Sequence, residues 1–157
     1  KRTMLEPNDI LITNSGTIGR MAFVKDTPLT YRTTFQKSVA IVKPNIEEVY
    51  PTYLYYNLLG LVDRLKNDSN GAAQKNLLLS TMRSFPMLIH SEYATQRYIA
   101  NILSAYDDLI DNNQKQIKLL EEAAMRLYKE WFVRMRFPGY KKAKFVKGVP
   151  EGWTCLL

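Results

Sequence analysis

The chain has 157 residues, and 22 Lys and Arg against 15 Asp and Glu give it a formal net charge of +7. Its apolar share of 46% excludes a disordered tail, which could not bury enough surface to offset its chain entropy. The single cysteine, Cys155, excludes an internal disulfide and a cysteine-based metal site, and the short apolar runs exclude a membrane span or secretory signal, so we expect a cytoplasmic protein.

The first 90 residues predict a mixed α/β domain. Short β-prone runs at residues 9–13, 21–24 and 38–42 are bounded by turn residues and predict three strands. Residues 14–20, which include two glycines, form a tight connection between the first two strands.

Pro51 predicts the start of a helix, because proline is tolerated at the first helical position. Residues 67–71 end this helix with turn chemistry, and residues 77–79 and 85–89 predict two more strands around a turn at 80–83. The helix carries a buried stripe of leucines at helical spacing: Leu54, Leu58, Leu61 and Leu65.

A long helix follows, since neither Gly nor Pro occurs between Met87 and Phe137. If it is continuous from Glu92 to Arg136, it spans roughly 65 Å. A heptad stripe this long cannot be covered by the small first block, so it needs a partner helix. The stripe consists of Ile99, Leu103, Tyr106, Ile110, Asn113, Ile117, Leu120, Ala124, Leu127, Trp131 and Arg134.

Asn113, in the middle of this stripe, has three interpretations. It is a polar residue facing solvent at a frayed spot, because residues 111–113 are poor helix sequence. Alternatively, it is a buried amide that sets the register of a helix pair, or it marks a break between two shorter helices.

The charges divide the chain into three parts. Residues 1–90 have a net charge of +4, residues 91–137 carry seven charges of each sign, and residues 138–157 have a net charge of +3. We therefore predict a basic domain, a balanced interaction helix and a basic tail, with an acidic partner for the basic parts.

Catalytic chemistry is not visible in the sequence. The glycines of residues 16–20 fit neither a phosphate-binding loop nor a dinucleotide fingerprint. His90 is the only histidine, which excludes histidine metal sites and Ser-His-Asp triads. No Asp or Glu is followed two residues later by Lys, so the carboxylate–lysine pair of many metal-dependent nucleases is missing. We expect no catalytic residue and no metal site.

Five ordered segments resemble target recognition domains of type I restriction–modification specificity subunits. Residues 7–20 are similar to the family's GDILIxxSGTIGR segment. Asn8 stands where the family usually has Gly, and Asn can replace Gly there because it tolerates positive φ better than most residues. Ser91 is the predicted N-cap of the long helix. The other similarities are to the later GxxQxNL…FP strand at 71–77 and 83–86, to the start of the conserved spacer helix at Gln96, 99–104 and Asp107, to the end of that helix at 129–133 and 137–140, and to the phrase that introduces a further recognition domain at 149–153.

The resemblance implies an α+β fold in three parts. Residues 1–90 are the C-terminal part of a DNA target recognition domain, residues 91–137 are the conserved spacer helix, and residues 138–157 are a linker and the start of a further recognition domain. The spacer helix pairs in an antiparallel coiled coil with a second helix of the full subunit, or self-associates. Lys1 at the start suggests a piece of a longer protein, or a chain that has lost its initiator Met.

The resemblance also implies a function without chemistry in this chain. The domain reads half of a bipartite sequence in double-stranded DNA and positions methyltransferase subunits, which methylate adenine with S-adenosylmethionine. Restriction subunits that use ATP are recruited to the same complex. The chain itself then holds no cofactor and contacts no membrane.

The candidate DNA contacts fall into three sets. The first set is Ser15, Thr17 and Arg20, for which a plain turn is the favoured alternative. The second set is Gln74, Lys75 and Asn76, for which an ordinary loop is equally compatible. The third set is Arg32, Thr33, Thr34 and Lys37, with Tyr31 and Phe35 beside it, and an ordinary surface is equally compatible.

Two other classes of protein fit parts of this pattern. One is a coiled-coil scaffold whose basic block binds protein or an acidic membrane surface. The other is the recognition part of a fused type II restriction–methylation enzyme, whose recognition domains look alike.

Overall fold

A computed structural model describes residues 4–64 and 79–154. The chain forms two compact units, which divide between Tyr106 and Asp107. Its elements are β1 (Ile10–Thr13), β2 (Met21–Phe23), a 3-10 turn (Thr30–Arg32), β3 (Val39–Val42), α1 (Pro51–Gly60), α2 (Leu79–Ser84), α3 (Tyr93–Tyr128), a π-helical turn (Lys129–Val133), a second 3-10 turn (Tyr140–Lys142), β4 (Phe145–Val146) and β5 (Val149–Pro150).

Strand β1 is the centre of a three-stranded antiparallel sheet with the order β2-β1-β3. Ile10 lies opposite Phe23 of β2 and Val42 of β3, so these three side chains share one face. Ile10 and Ile12 are fully buried on this face, whereas Leu11 on the other face is half-buried. The three predicted strands are therefore confirmed, and the alternation of the sequence decides which face is the core.

Helix α1 closes the core against this sheet. It begins at Pro51, as the sequence predicts. Leu54 and Leu58 of the predicted stripe are buried with the sheet residues, while Leu61 is half-buried just after the helix ends. Leu65 and the turn predicted at residues 67–71 lie outside the described residues.

The first turns of α3 belong to the same core. Ala100 is fully buried, and Gln96 is only 1% exposed. The Gln96 carbonyl Oε1 accepts a hydrogen bond from the backbone N–H of Tyr50 (2.7 Å), and Nε2 donates to the carbonyl of His90 (2.6 Å). Because Tyr50 is the N-cap of α1, its N–H has no partner within that helix, and Gln96 supplies one.

Helix α3 runs without interruption through residues 111–113. Of the three interpretations, the break between two shorter helices is therefore wrong, and Asn113 is exposed in this chain. The residue before the helix is Glu92, whose carbonyl accepts the N–H of Gln96 (3.1 Å), so Glu92 and not Ser91 occupies the N-cap position.

The helical segment ends three residues earlier than the predicted Arg136. The N–H of Arg136 donates to the carbonyl of Glu130 (2.7 Å), and Met135 adopts a left-handed φ of 54°. These two features reverse the chain before Pro138 is reached. The π-helical turn also shifts the register by a residue, so the heptad spacing does not continue on one face beyond Tyr128.

The strands predicted at residues 77–79 and 85–89 are not both formed. Leu79 and the predicted turn 80–83 lie in α2, since Leu, Met and Arg are good helix formers, and residues 77 and 78 are outside the described part. The segment 85–89 is irregular instead of a strand.

Side chains of α1 satisfy the backbone next to this irregular segment. Asn57 Nδ2 donates to the carbonyl of Leu88 (3.0 Å), and the N–H of His90 donates to the hydroxyl of Tyr53 (3.2 Å). Pro86 has no N–H for a ladder. The α1 side chains thus replace the strand partner that the sequence pattern predicts.

The second unit ends in a small hairpin. Phe145 of β4 lies opposite Pro150 of β5, and Val146 lies opposite Val149. The described elements confirm an α+β fold with a small sheet domain and a long helix. The predicted boundaries at residues 90 and 137 and the pairing of the helix stay predictions.

We predict that Gln96→Ala lowers the free energy of unfolding by about 1–3 kcal/mol, because it leaves the Tyr50 N–H and the His90 carbonyl buried without partners. Urea unfolding of the chain measures this change. Gln114→Ala, an exposed position of the same helix, is the matched control and changes stability by less than about 0.5 kcal/mol. Equal effects of the two variants would contradict the role of Gln96.

Candidate nucleic-acid interface

The β1–β2 connection is a tight turn organised by Thr13. The Thr13 N–H donates to the carbonyl of Arg20 (2.9 Å), and the N–H of Gly19 donates to the carbonyl of Thr13 (2.9 Å). The Thr13 hydroxyl accepts from the N–H of Arg20 (2.9 Å) and donates to the carbonyl of Thr17. Gly16 and Gly19 have φ values of 73° and 82°, which favour glycine.

The first set of candidate contacts lies on this turn, and its side chains differ in their exposure to solvent. Thr17 and Arg20 are exposed, and Ser15 is half-buried. The internal hydrogen bonds account for the turn without a ligand, and the side chains of Thr17 and Arg20 are accessible to a phosphate. Contact with DNA stays a prediction for all three residues.

The set from Arg32 to Lys37 follows the first 3-10 turn. Thr30 is buried, and its hydroxyl donates to the carbonyl of Lys25 (2.6 Å), which holds the turn against the preceding loop. The Thr33 hydroxyl donates to the carbonyl of Leu29 (2.6 Å). The four candidate residues of this set are all exposed: Arg32, Thr33, Thr34 and Lys37.

Tyr31 and Phe35 differ in their surroundings. The Tyr31 hydroxyl donates to Oδ1 of Asp26 (3.1 Å), and this hydrogen bond, with smaller effects of burial and of the Asp26 charge, raises the pKa of Tyr31 above its usual range. Phe35 is half-buried. The aromatic and cationic side chains of this set thus lie on a fixed local scaffold.

An open groove of about 640 Å³ runs beside β3, and we call it the β3 groove. It brings Lys37 together with Asn14 from the β1–β2 connection and Arg83 from α2. No carboxylate lines it, and neither Lys37 nor Arg83 forms an ion pair with a described residue. Its full lining is Asn14, Phe35, Lys37, Val39, Ala40, Ile41, Val42, Lys43, Met82 and Arg83.

Sequence reasoning missed Asn14 and Arg83 as candidates. Asn14 Oδ1 is buried and has no hydrogen-bond partner among the residues that the structure describes, and Arg83 is exposed near the end of α2. Neither residue belongs to a sequence motif of basic and aromatic residues. Only the packing of α2 near β3 brings Arg83 into the same groove as Lys37.

Lys43 also lines the groove, but acidic partners neutralise it. Its Nζ lies 2.8 Å from Glu6 Oε2 and 3.0 Å from Oδ2 of the buried Asp9. Burial lowers the pKa of Lys43, but the hydrogen bonds and charges of Glu6 and Asp9 outweigh this effect and raise it above its usual value. Asp9 also accepts the N–H of Glu6 (2.9 Å), so this cluster braces the start of β1.

The predicted helix-pairing residues from Ile99 to Leu127 lie on one stripe of α3 that is largely open to solvent, and Trp131 follows in the π-helical turn. Ile99 is half-buried against the domain core, and Trp131 is half-buried in the π-helical turn. The side chains between them are exposed, and Leu120, for example, is 69% exposed. The exposed members are Leu103, Tyr106, Ile110, Asn113, Ile117, Leu120, Ala124 and Leu127.

Two further properties of the described residues bear on what this chain can hold or contact. Within residues 4–64 and 79–154, no three His, Cys, Asp or Glu side chains come together as a metal ion would require. No helix in the described part of the chain is both long and apolar enough to cross a membrane. Gln74, Lys75 and Asn76, the remaining set of candidate contacts, lie outside the described residues.

The chain is similar to proteins of one family. Residues 1–122 match the family described as the type I restriction modification DNA specificity domain. The chain is 34% identical over 150 residues to the type I restriction enzyme MjaIX specificity subunit of Methanocaldococcus jannaschii, covering 92% of this chain and 33% of that protein. It is 27% identical over 123 residues to the putative type I restriction enzyme MjaX specificity subunit of the same organism, covering 76% of this chain and 29% of that protein. The chain thus spans about a third of the length of these relatives.

Proposed function

The chain belongs to the family of type I restriction modification DNA specificity domains, and on that premise we propose that it reads part of a DNA target for a type I restriction–modification complex. The observation that carries this proposal is the β3 groove, where Lys37 and Arg83 lie beside Asn14. Among the described residues, neither cation forms an ion pair and no carboxylate lines the groove. Cations of this kind bind phosphates, and arginine and asparagine also suit base edges.

Further side chains extend this surface on the same α/β domain. Arg20 and Arg32 are exposed and form no ion pair with a described residue. Each lies on a turn that internal hydrogen bonds hold, so the backbone that carries these side chains is already ordered before binding. Preorganised cations lose less conformational entropy when they meet a phosphate.

In this proposal α3 is the spacer between two halves of a bipartite recognition unit. Its apolar stripe is too exposed to serve the chain alone, because burial of apolar surface stabilises a helix chiefly through packing. A second helix of the full subunit covers it in an antiparallel coiled coil, and a second copy of this chain takes that place when the second helix is missing.

The chemistry of the complex belongs to other subunits. The methyltransferase subunits hold S-adenosylmethionine and modify adenine, and the restriction subunits use ATP. This chain contributes affinity for DNA and fixes the position of the complex along the duplex. Its charged, amide and hydroxyl side chains suit both roles. It is a non-catalytic component, and its partners are double-stranded DNA and these subunits.

We predict that the complex of this chain with methyltransferase subunits binds duplex DNA with an affinity that falls steeply as salt is raised. The double variant Lys37→Ala/Arg83→Ala weakens binding and lowers the slope of log K against log salt by up to about 1.8, since each phosphate contact contributes about 0.9. Fluorescence anisotropy at several salt concentrations measures both quantities.

The matched control for this experiment is Lys115→Ala/Lys118→Ala, which removes two exposed cations from α3 and leaves the slope unchanged. A complex that does not bind duplex DNA at low salt would contradict the proposed function and favour a protein-binding scaffold. Binding with an unchanged slope in the Lys37/Arg83 variant would remove only the β3 groove from the interface.

We predict that the isolated chain self-associates through the apolar stripe of α3. Leu120→Asp disrupts this association, because it places a carboxylate at the covered position, whereas Leu119→Asp leaves it intact. The two leucines are 69% and 64% exposed, so the variants differ mainly in the face of the helix that they change. Sedimentation equilibrium measures the association, and an equal effect of both variants would contradict the predicted face.

A further inference from the structure

The C-terminal hairpin is a structured segment in its own right. Lys147 and Gly148 connect β4 to β5 with φ values of 53° and 81°. Two central residues with positive φ define a type I′ turn, whose twist matches that of the strands it joins. The N–H of Glu151 donates to the carbonyl of Lys144 (2.8 Å) and extends the hairpin beyond its two strands.

Five aromatic side chains anchor this hairpin to the end of the long helix, and we call them the aromatic cluster. The ring of Trp153 lies 5.3 Å from that of Phe137 and 5.5 Å from that of Phe132. Phe145 of β4 lies 6.4 Å from Phe137, and Tyr128 of α3 stacks on Phe132 at 5.4 Å. Each such ring pair contributes about 0.5–1.5 kcal/mol to stability beyond the contribution from burial of its surface.

A set of ionic contacts fixes the chain reversal between helix and hairpin. The Glu130 carboxylate pairs with Arg134 and lies 3.8 Å from Arg136. Gly139, with a φ of 89°, follows Pro138 and starts the second 3-10 turn. The two arginines nearest the aromatic cluster are thus satisfied by Glu130.

The lysines of the second 3-10 turn and of the hairpin are not satisfied in this way. Lys141, Lys142, Lys144 and Lys147 are all exposed. Lys144 lies 3.8 Å from Glu151, whereas the other three form no ion pair with any described residue. We call residues 141–147, which run from the second 3-10 turn into the hairpin, the basic hairpin. Three of its four lysines have no acidic partner within the described part of the chain.

The types of residue in this segment identify its ligand chemistry. Residues 138–154 contain neither Arg, Asn nor Gln, the side chains that read base edges through paired hydrogen bonds. Lysine is a compact point charge that suits a single phosphate group. The segment therefore has the groups for contact with a phosphate backbone and lacks those for reading a sequence.

We propose that the basic hairpin is a second DNA contact, which binds phosphates of the duplex without regard to sequence. This inference rests on the proposed function, because DNA is the polyanion that the complex binds in that proposal. The aromatic cluster holds the lysines in place, so the contact forms without ordering a flexible tail. The site lies in the second compact unit and shares no residue with the β3 groove.

The test uses the complex of the full chain with methyltransferase subunits. The triple variant Lys141→Ala/Lys142→Ala/Lys147→Ala lowers the slope of log K against log salt by up to about 2.7, and weakens binding to the target and to an unrelated duplex by the same factor. The control variant Lys115→Ala/Lys118→Ala/Arg126→Ala removes three charges from α3 and keeps the wild-type slope.

A second pair of variants tests the anchor without changing any charge. Trp153→Ala reduces affinity for both duplexes, whereas Trp153→Phe preserves a ring and retains binding. The outcomes separate the two proposals: a wild-type complex that fails to bind DNA overturns the proposed function. If the wild-type complex binds but the triple variant keeps its slope, or loses affinity for the target alone, the basic hairpin proposal is overturned.

Discussion

The buried amide of Gln96 is the interaction that joins the α/β domain to its long helix. A glutamine side chain in the core is costly unless both ends of its amide find partners. Here the amide oxygen accepts the N–H of Tyr50 at the N-terminus of α1, and the amide nitrogen donates to the carbonyl of His90 just before α3. Three segments therefore meet at one side chain, and Ala100, one turn later, packs in the same core.

The surroundings of α3 change along its length from this junction. Near the domain the helix is held by burial and hydrogen bonds, whereas from Leu103 to Leu127 its apolar stripe is exposed. The same heptad repeat thus serves a core over its first turns and requires another helix over the rest. The direction of the helix is therefore fixed at its start, because its first turns are packed in an ordered core.

Local patterns in the sequence were sufficient for the three strands, the start of α1 at Pro51 and the existence of the long helix. Each depends on alternation, a proline or heptad spacing, which act over a few residues. Segment 85–89 has the apolar residues of a strand but lies beside Asn57 and Tyr53, whose side chains replace a ladder. The β3 groove could not be predicted, because Arg83 comes close to Lys37 only through tertiary packing.

We propose that this chain takes part in target recognition, and mapping of methylated bases tests that proposal most directly. Genomic DNA from the source organism is compared with and without this gene, in a strain whose restriction–modification system is active. We expect that one bipartite methylated motif disappears when the gene is deleted and returns when the gene is restored. A methylation pattern that is unchanged by the deletion would contradict it.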